Sequence, residues 1–209
     1  MLIRQTYHTE KRDEIKSLIL DIVNHLQSMT EHFEQYFKEP TKEAKEFILK
    51  NEKYVNKNEK KIEQYILEVF SLEQLNVHEI KWLLAMNRLI RELERTGDYL
   101  INIITLSNVV DTDILRPVIM DFFTYVKDMM QWLSEGIQQN DVNLLTKVVD
   151  HDRHINALNK EAYRDVASQL HDQKSVSEAE LKSVVISRFL ERVGDHLVNA
   201  AEEYLQTIQ

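Results

Sequence analysis

Apolar residues return every three or four positions along most of the chain. Ile15, Leu18, Ile19, Ile22, Leu26, Met29, Phe33 and Phe37 keep the i, i+3, i+4, i+7 spacing of one helix face, so a first amphipathic helix of roughly seven turns is predicted. Lys38-Glu39-Pro40 ends it, because proline can neither donate the next hydrogen bond nor fit behind the preceding turn. Ala44, Phe47, Ile48, Val55, Ile62, Ile66 and Val69 predict a second helix over about 41–71, and a third is expected over about 77–107. The second half repeats the plan. Leu115, Val118, Ile119, Phe122, Val126, Met129, Leu133 and Ile137 form a stripe, with Pro117 tolerable in its opening turn. Asn140-Asp141 ends this fourth helix and caps a fifth that reaches about residue 170, and Ser177 with Glu180 makes a capping-box pattern before a sixth.

The expected fold is therefore all-α, two tandem, repeat-related antiparallel three-helix bundles built from six long helices. Residues 1–107 form the first repeat, 108–113 a joint and 114–209 the second. Composition agrees with long helices: three glycines and two prolines are too few turn formers for a sheet protein. Two of those glycines, Gly97 and Gly194, stand inside the same tetrad, Glu-Arg-x-Gly-Asp, where glycine costs about 1 kcal/mol relative to alanine. Aligning Arg91–Asn102 with Arg188–Asn199 gives eight identities in twelve, 97 residues apart. Each glycine falls near the middle of an apolar arc, so it is expected to let a neighbouring helix approach closely.

Charge narrows the function classes. With 35 acidic and 26 basic residues, a net charge of −9 opposes contact with nucleic acid. No cysteine is present, which removes disulfides, thiolate metal sites and cysteine nucleophiles. The first residues lack the basic and then apolar pattern of a signal peptide, and no apolar run approaches about 18 residues, so a cytoplasmic protein without direct membrane insertion is expected. Apolar faces at heptad-like spacing also suit a homodimer.

The acids of the tetrads are the candidate chemistry. Glu94 and Asp98 flank Gly97 on the packing side of the third helix, and Glu191 and Asp195 flank Gly194 on the sixth. The middle helices lapse from their apolar stripes at Glu52 and Asn56, and one hundred residues later at Asp152 and Asn156. Antiparallel packing that brought these pairs level would give each lobe three carboxylates and an amide oxygen around one point, a donor set for magnesium, manganese or iron. The alternatives are solvated helix faces with arginine-paired acids, a metal-free structural or adaptor bundle, and a di-metal carboxylate oxidase. The oxidase needs Glu-x-x-His pairs on inward faces, which the eight histidines do not supply, and no serine or threonine stands in a nucleophile setting. No enzyme activity, catalytic residue or organic cofactor is expected.

The string from Arg188 to Glu202, Arg-Phe-Leu-Glu-Arg-Val-Gly-Asp-His-Leu-Val-Asn-Ala-Ala-Glu, resembles the closing motif of the PhoU family of bacterial phosphate-signalling regulators, and the string at Arg91 resembles its first-repeat copy. Length, duplicated plan and the acid-led motifs at Glu52 and Asp152 extend the resemblance over essentially the whole chain. It implies iron or zinc clusters on the bundle surfaces, held by Glu52, Glu94 and Asp98 in the first lobe and Asp152, Glu191 and Asp195 in the second. Asn56 and Asn156 depart from the family's usual aspartate, so each site would lose a charge and bind metal less tightly. The resemblance further implies a negative regulator of phosphate uptake and phosphate-starvation signalling. Its expected partners are the ATPase subunit of the phosphate ABC transporter and a sensor histidine kinase.

Overall fold

The structure, a computed structural model, describes residues 2–72, 74–107, 116–171 and 178–208, and all regular structure among them is α-helical. The helices are α1 (Leu2–Lys38), α2 (Lys42–Leu72), α3 (Val77–Ser107), α4 (Arg116–Gln139), α5 (Val142–His171) and α6 (Glu178–Ile208). The expected joint at 108–113 and the Ser177 half of the capping box lie outside the described residues. α1 runs well ahead of the first stripe residue, Ile15, because Glu10-Lys11-Arg12 favour helix and Lys11 pairs with Glu14 at 2.9 Å.

Local chemistry sets the turns. Thr41 caps α2, its hydroxyl accepting from the Ala44 amide at 3.2 Å directly after Pro40. Asn76 caps α3 by accepting from the amides of His78 and Glu79, while Glu79 reaches back to the Asn76 amide at 2.8 Å. Between α4 and α5 a two-residue turn serves both helices. Asn140 takes a left-handed φ of 53°, the Asp141 amide bonds the Gly136 carbonyl at 3.0 Å, and Asp141 then caps the amides of Asn143 and Leu144. The third glycine has its reason here. A Cβ on Gly136 would lie 2.8 Å from Leu145 Cγ and 3.3 Å from the Leu145 backbone nitrogen, so only glycine lets α5 start this close to α4.

Within each half, the middle helix packs against its two neighbours, α2 on α1 and α3, and α5 on α4 and α6. The halves then join along two antiparallel seams, α3 on α6 and α1 on α4, of which the first is the most extensive helix contact in the molecule. Repeat-equivalent residues meet in both seams. Thr30 Oγ1 lies 3.5 Å from Met130 Sδ, and the rings of Tyr99 and His196 stack with centroids 5.4 Å apart. A pseudo-twofold axis therefore passes between these pairs. Phe33 of α1 stacks on Phe123 of α4 across the seam with Phe37 tilted against the same ring, and the buried residues of both halves form one continuous core. Burying each such side chain contributes about 1.5–3 kcal/mol, so the lobes are held by the same force that builds them.

Candidate carboxylate centres

Both tetrad glycines face the middle helix of their own lobe, at repeat-equivalent partners. Their contacts are unequal. A Cβ on Gly194 would meet Ile155 Cδ1 at 2.9 Å and Cγ2 at 3.1 Å, whereas one on Gly97 would meet Leu26 Cδ2 at 3.4 Å and Val55 Cγ1 at 3.8 Å, ordinary packing distances. The close approach expected at both glycines is required at Gly194 and is absent at Gly97. The reason is size: where the second lobe carries isoleucine, the first carries valine.

In the first lobe the structure brings Glu94 and Asp98 together with an acid that the sequence pattern missed, Glu59 on α2. Burial, then repulsion from Asp98 and Glu59, pushes the Glu94 carboxyl up to about 7, and its hydrogen bond with Asp98 acts in the same direction. Glu59 is also raised, first by burial and then by Glu63. Glu52 has a different partner, Asn56, whose Nδ2 donates to it at 2.5 Å. Glu59 follows Asn56 by three positions and Glu52 by seven, which puts all three on one face of α2. That spacing was the signal for Glu59 in the sequence.

In the second lobe Asp152 lies within electrostatic reach of Asp195 and Glu191. Burial raises the Asp152 carboxyl, Asp195 and Glu191 raise it further, and the hydrogen bond from Asn156 Nδ2 at 2.5 Å partly offsets them. The position equivalent to Glu59 is Asn159, which accepts a hydrogen bond from Ser187. Each lobe thus has three acids that influence one another electrostatically, from different position sets: Glu59, Glu94 and Asp98 against Asp152, Glu191 and Asp195.

The arginines of the repeated motif explain why the two clusters differ in charge balance. Arg188 pairs with Glu191, and Arg192 pairs with Asp195 at 3.2 Å. Their equivalents are drawn elsewhere: Arg91 reaches Glu63 on α2 at 3.2 Å and Arg95 reaches Glu92 at 3.3 Å. The second lobe has Tyr163 and Phe189 at the positions of Glu63 and Glu92, so no competing acid stands there. Glu92 itself crosses the seam, where its Oε2 lies 2.7 Å from His196 Nδ1 and accepts from Asn199 Nδ2 at 2.9 Å.

The fit to a cation can be read from the oxygens. Asn56 Oδ1 and Asp152 Oδ1 are buried without a hydrogen-bond partner, one in each lobe, and a buried acceptor left unsatisfied costs about 1–3 kcal/mol. An all-oxygen donor set with orphaned acceptors suits a hard cation. Among the described residues, however, no three His, Asp or Glu side chains stand together in a metal-holding arrangement. Ligation would therefore require these side chains to change rotamer.

The fold and its acid-lined bundles define a class: a tandem-repeat helical protein whose halves share one core and carry one carboxylate cluster each. The PhoU domain model matches residues 12–106 and again 119–204, and the chain belongs to the PhoU family. It is similar to the phosphate-specific transport system accessory protein PhoU homolog 1 of Thermotoga maritima, 22% identical over 77% of this chain and 72% of that one. The corresponding PhoU homolog of Deinococcus radiodurans is 24% identical over 71% of each chain. Among solved structures, PhoU from Pseudomonas aeruginosa superimposes with a TM-score of 0.86 at 16% identity, covering 96% of this chain and 98% of its own. The phosphate transport system regulatory protein PhoU from Streptococcus pneumoniae gives 0.79 at 16% identity, covering 96% of each. The expected fold of two repeat-related helical bundles is thereby established. Among the described residues no helix is long and apolar enough to cross a membrane.

Proposed function

We propose that this chain is a negative regulator of phosphate uptake and phosphate-starvation signalling that works by protein contact and has no enzyme activity. The observation that carries the reading is the double match of the PhoU domain model over nearly the whole chain, together with relatives named as accessory proteins of phosphate-specific transport systems. The ATPase subunit of a phosphate ABC transporter and a sensor histidine kinase are the proposed partners. Exposed Leu67, Val77, Leu84 and Leu181 offer apolar surface for such contacts or for a homodimer. Affinity purification from phosphate-replete cells should recover the ATPase or the kinase; recovery of neither would contradict the partner assignment.

The carboxylate clusters are proposed as cation sites for iron, zinc or manganese. Glu94 and Asp98, with Glu59 and the Asn56 oxygen, would hold a cation in the first lobe, and Asp152, Glu191 and Asp195 in the second, with Glu52 and Asn156 positioning their neighbours. A bound cation would supply positive charge that fixes the clustered acids at the bundle surface. The side chains themselves already crowd negative charge between α2 and α3 and between α5 and α6, which is the condition such a cation relieves. Among the described residues no set of three ligands is preassembled, and the second reading is a metal-free adaptor. Elemental analysis of protein from metal-supplemented cultures distinguishes them: stoichiometric metal that is lost in Asp98→Ala with Asp195→Ala supports the sites, and its absence supports the adaptor.

A further inference from the structure

A cavity of about 410 Å³ opens at one end of the molecule and is lined by both lobes. Arg12 and Lys16 come from α1, Trp82 from α3, Asn140 from the turn between α4 and α5, and Tyr204 from α6. The duplication does not account for it. The repeat-equivalent positions hold Thr112, Arg116, Ala179, Pro40 and Ser107, so nearly every chemical group that builds the cavity belongs to this end alone.

Asp13 and Glu79 line the same cavity and Asp13 acts on Lys16 electrostatically, yet among the described residues neither Arg12 nor Lys16 makes a direct ion pair. The Arg12 guanidinium lies 4.6 Å from the centroid of the Trp82 ring, and among the described residues no hydrogen bond or ion pair engages its donors. Lys16 Nζ donates to the Gln138 carbonyl at 3.2 Å and to Asn140 Oδ1 at 3.1 Å, and its third proton is uncommitted. Burial lowers its pKa, the direction that a bound anion would reverse. Tyr204, 2% exposed, anchors the wall, its hydroxyl 2.6 Å from Asn140 Oδ1 and 3.1 Å from the Ile137 carbonyl. The exposed Arg12 guanidinium and the Lys16 ammonium, one turn apart beside two buried aromatic rings, present uncommitted donors to the cavity.

The shape of those donors selects the ligand. A guanidinium fork matches two oxygens of one oxyanion, and the ammonium adds a point charge beside it. Trp82 and Tyr204 are both buried, so neither ring has an open face on which a base could stack. Asp13 and Glu79 also line the cavity and repel a second anionic group. Glu79 is partly committed to capping α3 through the Asn76 amide. The geometry points to a site for one compact tetrahedral oxyanion, either inorganic phosphate or the head of a phosphomonoester with a small hydroxylated remainder, gripped by Arg12 and Lys16.

Isothermal titration of the full chain, treated with chelator so that no metal contributes, tests this with inorganic phosphate and with glycerol 3-phosphate. Saturable binding of at least one is expected, and Arg12→Gln should weaken it about tenfold or more, as loss of a charge-assisted pair does, with only the small shift of thermal midpoint that loss of the Trp82 contact brings. Equal affinities identify the free ion as sufficient; tighter binding of the ester assigns the remainder of the cavity to its hydroxyls. Lys57→Gln, on an exposed stretch of α2, should change nothing. Absence of binding by both ligands, or affinity unchanged in Arg12→Gln, overturns the proposal.

Discussion

Gly97 and Gly194 occupy the same place in the repeat, yet a methyl group would have different consequences at each. At Gly97 the neighbours stand at 3.4 and 3.8 Å, so Gly97→Ala should gain about 0.5–1 kcal/mol from the lower backbone entropy of alanine. At Gly194 the same change pushes on the Cγ2 branch of Ile155, which cannot swing away without moving its own helix. Gly194→Ala should lose about 1–3 kcal/mol, the usual cost of overpacking. Urea denaturation of the two variants decides it, and equal shifts of the midpoint would contradict the unequal packing. Glu94 makes a second residue-scale prediction. Its folded pKa of about 7 lies above the ordinary 4.5, so the folded state holds this proton more tightly than the unfolded chain. The resulting stabilisation is complete below the unfolded value and is lost as pH rises through the folded one. Glu94→Gln should therefore match the parent only near pH 4 and become the more stable of the two by about pH 8 in metal-free thermal melts. The acids of this cluster were legible at Glu94 and Asp98 because the motif repeats. Glu59 was signalled only by its spacing from Glu52 and Asn56, because its equivalent is Asn159 and no repeat marked it.

At the scale of elements, helix limits followed from stripes and breakers. The bounds of α3 were predictable because Asn76 and Glu79 encode a reciprocal cap in four residues. The turn at Asn140-Asp141 was equally readable, and its dual role gives a direct test. Asp141→Ala removes two amide bonds at the start of α5 and should cost about 1 kcal/mol, measured by denaturant unfolding. A further regularity shows how the duplication has drifted. In the first lobe His25 of α1 stacks on Tyr54 of α2, and in the second Tyr125 of α4 stacks on His154 of α5, at positions one hundred residues on. The histidine and the tyrosine have exchanged helices while the stack persists. Conservation of a contact with exchange of its residues leaves no identity for a sequence comparison of the halves to find. The eight-of-twelve match at the tetrads was visible because both partners there lie within one helix.

At the scale of the molecule, the joining of the halves was the part the sequence did not show. Periodicity identifies which face of a helix is apolar, and α1, α3, α4 and α6 each have a face wide enough to serve both their own bundle and the opposite one. The seam chemistry is also split between halves: Glu92 receives His196 and Asn199 on one side of the pseudo-twofold axis, while Phe189 packs on Tyr99 on the other. A helical scaffold with a shared core, clustered acids and exposed aliphatic side chains is built to be bound, and family membership gives the binding its context. The central claim is that this context is restraint of phosphate acquisition. The most direct measurement is expression of a phosphate-starvation reporter, with phosphate uptake alongside, in phosphate-rich medium after deletion of the protein. The account predicts that both rise towards the starved level and return when the intact chain is restored; reporter and uptake that stay at the replete level would contradict it.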